Sequence, residues 1–168
     1  MEGKKTIILT HPEIERKMQR MAWEIYENNH QAKQLILIGI ANNGNHISKA
    51  IGKILSQISK INVQYGQINL EKKKGFEADV VLDCKTNIKG ETVIMVDDVL
   101  NSGKTMLAAM LPILAQKPTK IQTAVLANRN HKTFPVKADI VGISLATTLQ
   151  EHIWFEIEKE DKMIVFLT

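Results

Sequence analysis

Two apolar runs without polar alternation constrain the fold of this chain most strongly. Residues 35–40 read Leu-Ile-Leu-Ile-Gly-Ile, and residues 92–96 form a shorter β-branched run. A strand with one face in water alternates apolar and polar residues. Continuous runs therefore predict strands that are covered on both faces, as in parallel sheets.

Three amphipathic segments predict helices between the strands. The first runs from about His11 to Asn29, where Thr10 and Glu13 have the spacing of a capping box. Two further segments carry apolar residues at helical spacing. Their predicted apolar faces are Ile47, Ala50, Ile51, Ile54, Leu55 and Ile58 in the second, and Met106, Leu107, Met110, Leu111 and Leu114 in the third.

Shorter β-prone runs complete the pattern at residues 6–9, 62–70, 121–127, 139–145, 153–157 and 163–167. Strands that alternate with helices predict an α/β fold, with a mainly parallel sheet and helices on both faces. A length of 168 residues fits one domain spanning 1–168, and no linker interrupts it.

Composition excludes several classes of protein. Cys84 is the sole cysteine, so a disulfide framework and a cysteine-based zinc site are excluded. The first residues do not resemble a secretory signal, and no apolar run approaches the ~18 residues that a membrane span needs. We therefore expect a cytoplasmic protein with no membrane association.

Charge is distributed unevenly along the chain. The net charge is +4, yet residues 99–138 contain no Asp or Glu and carry six Lys or Arg residues. This stretch is either a surface that faces an anion or a solvated basic face.

Residues 93–105, VIMVDDVLNSGKT, form the most informative segment. An apolar strand ends in Asp97 and Asp98, and a predicted loop at residues 98–103 enters a helix through Ser102 to Thr105. A helix start offers unpaired amides and a positive dipole end, which bind phosphate. The P-loop pattern is excluded, because Asp98 stands where its first glycine belongs.

Two carboxylates beside a phosphate site repel phosphate unless they hold sugar hydroxyls or a Mg²⁺ ion lies between. The segment therefore fits a phosphorylated sugar better than a bare triphosphate. The alternative is that Asp97 and Asp98 merely cap the turn. An unrelated dinucleotide binder is disfavoured, since no Gly-x-Gly-x-x-Gly follows any strand.

The segment resembles the 5-phosphoribosyl-1-pyrophosphate (PRPP) motif of type I phosphoribosyltransferases, with Ser102 where threonine is usual. Residues 38–40 before a loop resemble the pyrophosphate loop of that family. Residues 127–142, ANRNHKTFPVKADIVG, are similar to the PyrR subfamily, whose members are pyrimidine-operon attenuators with uracil phosphoribosyltransferase activity.

The resemblance implies transfer of ribose 5-phosphate from PRPP to a nucleobase, with a small hood over the sheet. Asp97 and Asp98 would bind ribose hydroxyls and, directly or through water, Mg²⁺. Phosphate would bind at Asn101, Ser102, Gly103, Lys104 and Thr105, and the base at the backbone of Ile140 and Val141, with Arg129 a further candidate. A homodimer or higher homo-oligomer, and a nucleoside monophosphate as ligand, are also implied.

The predicted pyrophosphate loop departs from the subfamily. It reads Ala41-Asn42-Asn43-Gly44, whereas relatives resemble Lys-Thr-Arg-Gly, so two cations are missing. A second hypothesis follows: a nucleotide-sensing or RNA-binding regulator with weakened turnover. Lys72, Lys73 and Lys74 are predicted either to reach over phosphate as part of a lid or to form a solvated loop tip.

Overall fold

The computed structural model describes residues 5–72, 78–148 and 151–168. Three α-helices lie among nine strands in this part of the chain. The helices are α1 (His11–Asn29), α2 (Ala41–Ile58) and α3 (Lys104–Leu114). The strands are β1 (Thr6–Leu9), β2 (Gln34–Ile40), β3 (Asn62–Lys72), β4 (Ala78–Asp83), β5 (Thr92–Leu100), β6 (Lys120–Arg129), β7 (Ile140–Leu145), β8 (Ile153–Ile157) and β9 (Met163–Leu167).

The main sheet has the strand order β4-β3-β2-β5-β6-β7. Its neighbouring strands pair in parallel, except that β4 runs antiparallel to β3. A second, antiparallel sheet has the order β1-β9-β8, and we call it the hood sheet. This α/β architecture with a mainly parallel sheet and a small hood confirms the predicted fold class.

Both faces of the main sheet are buried at its central strands β2 and β5, as the apolar runs predicted. In β2, Leu35 and Leu37 join the core on the face covered by α1 and α2. Ile36 and Ile38 point to the opposite face and join the core beneath α3. Alternate residues of one continuous apolar run thus supply two separate cores.

Helix α1 begins as the capping box predicted. The Glu13 carboxylate accepts hydrogen bonds from the Thr10 amide at 2.8 Å and from the Thr10 hydroxyl at 2.6 Å. These bonds lower the pKa of Glu13. The helix bounds, His11–Asn29, equal the predicted ones.

Three local predictions are wrong. Residues 41–44 are the first turn of α2 and not a loop. Strand β5 continues through both aspartates to Leu100, so the connection to α3 is shorter than residues 98–103. On α3 the predicted Met106 is buried, but Leu111 and Leu114 are exposed, because Ala109 and Ile113 complete the face toward the sheet.

Two further points concern the limits of the described chain. Within residues 5–72, 78–148 and 151–168, no helix is long and apolar enough to cross a membrane. Lys73 and Lys74 lie outside the described residues, and Lys72 is the last residue of β3.

Candidate active site

The topology of the main sheet opens a crevice between β2 and β5. These strands are parallel neighbours, but the chain leaves β2 for α2 on one face and β5 for α3 on the other. Ligands of open α/β sheets bind at such a switch point, beyond the carboxyl ends of the strands. A cavity of about 240 Å³ lies here, lined by Ile40 at the end of β2, by Ala41 at the start of α2, and by residues 97–103, which form the end of β5 and the connection to α3.

Asp97 and Asp98 lie together on the wall of this cavity. The Asp98 amide donates to Asp97 Oδ1 at 2.9 Å, and the Val99 amide donates to Asp98 Oδ1 at 2.7 Å. Asp97 is 9% exposed, yet it faces the cavity and not the closed core. The two carboxyls are therefore held by strand backbone at the mouth of the crevice.

Burial distinguishes the two acids. It raises the pKa of the Asp97 carboxyl well above its ordinary value of 3.8, and the neighbouring Asp98 charge raises that pKa further. Desolvation disfavours a charged carboxylate, and a like charge nearby acts in the same direction. Asp97 therefore retains its proton to a higher pH than an exposed aspartate does.

The residues between β5 and α3 carry the geometry of an anion site. Gly103 has φ +86°, a left-handed conformation that glycine adopts without steric penalty. The first amides of a helix lack intrahelical acceptors and lie at the positive end of its dipole. Asn101, Ser102, Gly103 and Thr105 line the cavity beside the acid pair, whereas Lys104 is exposed outside it.

The segment after β6 supports the connection between β5 and α3 by backbone hydrogen bonds. The Ser102 carbonyl accepts hydrogen bonds from the amides of Thr133 at 3.1 Å and Phe134 at 3.0 Å. A Cβ atom on Gly103 would lie 3.3 Å from the Phe134 carbonyl oxygen. The segment after β6 therefore fixes the backbone that would hold a phosphate.

The predicted pyrophosphate loop meets the acid pair through the first turn of α2. Ala41 has φ +52°, which costs a non-glycine residue about 1 kcal/mol or more. Asn43 Nδ2 donates to Asp98 Oδ2 at 2.7 Å. Gly44 is buried so close to β5 that an added Cβ would lie 2.5 Å from the Val96 carbonyl oxygen.

Ile140 and Val141, the predicted base-binding residues, do not line the cavity that contains the acid pair. Ile140 is buried, and the Val141 carbonyl accepts a hydrogen bond from Arg20 Nη2 at 2.6 Å. Arg20 Nη2 also donates to the Gly142 carbonyl at 2.8 Å. The backbone of Val141 is therefore occupied by α1.

Hood residues that the sequence did not single out lie next to the acid pair. A cavity of about 250 Å³ is lined by Asn43, Asp98, Val99 and Asn101 from the main sheet side and by His152, Ile153, Trp154 and Phe155 from the hood sheet. These residues reach the acid pair because β8 pairs with β9 in the hood sheet and also contacts β5 of the main sheet, and no local pattern in the sequence encodes either contact.

Arg129 is engaged with the segment that leads to the hood. Its Nε donates to Thr147 Oγ1 at 2.8 Å, and its Nη2 donates to the Thr148 carbonyl at 2.9 Å. It also lines an open cavity of about 620 Å³ that adjoins Asn101 and Ser102. His131, Lys132 and His152 line the same cavity, which gives it a basic wall.

The described residues do not build a metal cage of their own. Within them, no group of three or more His, Cys, Asp or Glu side chains is arranged to hold a metal ion. The donor set at the crevice is two carboxyls, of which Asp97 is nearly buried. Such a set suits Mg²⁺ that arrives bound to substrate phosphates, because Mg²⁺ keeps waters and needs few protein ligands.

Comparison with known proteins gives a consistent picture. The family model described as phosphoribosyl transferase domain matches residues 5–161. The Bifunctional protein PyrR of Fusobacterium nucleatum is 32% identical over 169 residues, which cover 96% of each chain. The Pyrimidine operon regulatory protein of Lactococcus lactis is 33% identical over 153 residues, covering 88% of this chain and 87% of its own.

Solved structures support the same fold. A variant of hypoxanthine phosphoribosyltransferase from Trypanosoma cruzi, in a ternary substrates complex, has a TM-score of 0.79 at 18% identity. The match covers 96% of this chain and 94% of that one.

Proposed function

This chain belongs to the phosphoribosyl transferase domain family, and from that membership we propose that it transfers ribose 5-phosphate from PRPP to a nucleobase with release of pyrophosphate. The relatives named PyrR and Pyrimidine operon regulatory protein favour a pyrimidine, and uracil is the first base to test.

One observation carries the proposal. Two carboxyls and the start of a helix line a single cavity at the switch point of the sheet. A sugar phosphate needs acceptors for its hydroxyls and amide donors for its phosphate, and this cavity supplies both. Asp97 and Asp98 would accept from ribose hydroxyls, and residues 101–105 would hold the 5-phosphate.

The proposed reaction is a displacement at the anomeric carbon of ribose. A ring nitrogen of the base forms a bond to that carbon, and the bond to the pyrophosphate oxygen breaks with its electron pair leaving on pyrophosphate. The proton of the base nitrogen passes to solvent. The transition state carries positive charge on the sugar, as in glycoside hydrolysis, and an aspartate carboxylate beside the ring would stabilise that charge.

Mg²⁺ fits this proposal as an ion delivered with PRPP. Asp98 and Asp97 would hold it through water, and it would neutralise charge on the departing pyrophosphate. Ala41 and Asn43 stand where subfamily members have cations, so the pyrophosphate charge would depend on Mg²⁺ and on uncharged donors.

The hood would form the base side of the site. The backbone and side chains from His152 to Phe155 line the cavity that also contains Asp98 and Asn101. This placement supports base recognition by the hood sheet in place of the predicted Ile140 and Val141.

Pyrophosphate release measures the proposed activity directly. We expect the protein, supplied with PRPP and Mg²⁺, to release pyrophosphate when uracil is added and to show only background release without a base. Cytosine, hypoxanthine, guanine and adenine complete the panel. Absence of release with every base, from folded protein, contradicts the proposal.

A regulator with weakened turnover is the second candidate, favoured by the absence of a cationic side chain from Ala41 to Gly44 and by the basic cavity at Arg129 and Lys132. If this protein is an RNA-binding regulator, its affinity for RNA should fall steeply with salt, because phosphate contacts release counterions.

Lys132→Ala should then weaken binding of an RNA hairpin, measured by fluorescence anisotropy. Lys159→Ala, at an exposed lysine among acidic residues, is the matched control. Equal affinity for both variants, or a salt-independent affinity, contradicts this candidate.

A further inference from the structure

Asn43 lies between the acid pair and the hood sheet. Its Nδ2 atom is 2.7 Å from Asp98 Oδ2 and 3.5 Å from the Phe155 carbonyl oxygen. The residue belongs to the first turn of α2 and is half-buried. One side-chain amide on α2 thus contacts both β5, which carries the acids, and β8 of the hood sheet.

The two oxygens of Asp98 have different partners. Oδ1 accepts from the Val99 amide, which belongs to the same strand, and Oδ2 accepts from Asn43. The terminal torsion of an aspartate is broad, so one bond to the adjacent backbone leaves the carboxylate plane loosely set. The bond from Asn43 fixes that plane from outside the strand.

The amide of asparagine suits this position chemically. Its nitrogen carries two hydrogens, so it can donate to a carboxylate and to a backbone carbonyl at once. Aspartate at this position would place a second negative charge against Asp98. Leucine has nearly the same shape and donates to neither oxygen.

The hood contact adds a second consequence. Asn43, Asp98 and Phe155 line the same cavity, which lies between the sugar side and the hood side of the site. A change in the position of the hood therefore moves an acceptor of the group that orients Asp98. The amide connects the sugar-binding acid to the base-binding strand.

We propose that Asn43 is a positioning residue. It orients the Asp98 carboxylate toward the ribose hydroxyls and holds the hood sheet in a fixed position relative to that carboxylate. This inference rests on the proposed function, because it assigns the hydroxyls of PRPP to Asp98. It also gives a role to a residue of the helix turn that lacks the cations of the subfamily.

The test is a double-mutant cycle on PRPP binding, measured by calorimetry with Mg²⁺ and no base. We expect Asn43→Leu to weaken PRPP binding on the order of tenfold, the scale of a lost hydrogen bond to a charged group. In an Asp98→Ala background, which leaves Asn43 no side-chain partner at position 98, the same change should weaken binding less than about twofold, because coupled residues are not additive. Gln57→Ala, which removes an exposed amide from the same helix, should bind PRPP as the unaltered protein does.

Turnover adds a readout that a structural role would not produce. If the protein releases pyrophosphate with a base, Asn43→Leu should lower kcat/KM for PRPP. The loss should persist at temperatures where the melting curve shows that the variant is fully folded. Asn43→Ala serves as the second variant if the leucine does not fold, since alanine favours the helix.

Three outcomes overturn the inference. One is PRPP binding by Asn43→Leu and Asn43→Ala that equals that of the unaltered protein. Another is an equal loss of affinity in the presence and absence of the Asp98 carboxylate. The third is loss of folding in both variants, since it makes Asn43 a residue required for the fold. Failure of the unaltered protein to bind PRPP is a different result, which contradicts the proposed function itself.

Discussion

Replacing Asp97 and Asp98 together by asparagine should reduce pyrophosphate release by roughly a thousandfold or more, the scale of losing electrostatic stabilisation at a reacting centre. The change removes both carboxyl groups from the sugar side of the cavity and preserves their shape. We expect the loss in steady-state release with PRPP, Mg²⁺ and the accepted base. Asp83→Asn, at an exposed aspartate on β4, should leave the rate unchanged.

The fold of this double variant should survive. The oxygen of an asparagine can still accept from the Asp98 and Val99 amides, and Asn43 can turn its own oxygen toward the new amide at position 98. Far-UV circular dichroism and a cooperative thermal transition check this point. A folded double variant that retains most of its activity would show that the acids do not serve the reaction.

The raised pKa of Asp97 also fixes the sign of a stability effect. A folded-state pKa above the ordinary 3.8 means that folding favours the protonated acid. The contribution of Asp97 to the free energy of unfolding is therefore complete below about pH 4. It is lost as the pH rises toward the folded-state pKa. Asn cannot ionise. At neutral pH the single variant Asp97→Asn should therefore unfold at a temperature equal to or above that of the unaltered protein, as when a functional site is relieved of an unfavourable charge.

Gly44→Ala should damage both stability and activity. A Cβ atom at this position would lie 2.5 Å from the Val96 carbonyl oxygen, and backbone cannot rotate away as a side chain can. The first turn of α2 must then move off β5, which displaces Asn43 from Asp98. We expect a loss of about 1–3 kcal/mol in the free energy of unfolding, the usual cost of overpacking. Pyrophosphate release should fall with it.

The sign of this effect distinguishes the packing argument from helix propensity. Glycine to alanine inside a helix ordinarily stabilises by about 1 kcal/mol. Gly52→Ala in the same helix is the control, because its Cβ would meet the Tyr65 hydroxyl, the far end of a partly exposed side chain. Gly52→Ala should keep its activity. A Gly44→Ala protein as stable and as active as the unaltered one contradicts the assigned contact.

The elements that could be predicted from sequence are those whose pattern is local. The predicted range of helix α1, from about His11 to Asn29, agrees with the structure because its apolar periodicity and its capping box are both local to it. The continuous run in β2 predicted burial on two faces, since only a covered strand can consist of apolar residues throughout. The order of strand, acid pair and helix start likewise predicted where the crevice would contain carboxyls.

The rest depended on packing between distant residues. Asn42, Asn43 and Gly44 are turn formers, yet they begin a helix because Gly44 packs against the backbone of Val96. Val99 and Leu100 extend β5 because they pair with Ala127 and Asn128 of β6. The hood residues His152 to Phe155 reach the site because β8 contacts β5, which is a contact between distant parts of the chain that no local pattern encodes.

The two bonds from Arg20 to the outer strand of the main sheet have a consequence beyond the site. A terminal strand with open carbonyls is a template on which a foreign strand can add, and proteins commonly block such strands with charged groups. The guanidinium of Arg20 occupies the Val141 and Gly142 carbonyls on β7. A strand from another molecule would have to displace this guanidinium before it could pair with either carbonyl, so Arg20 disfavours strand addition at this position of the sheet edge.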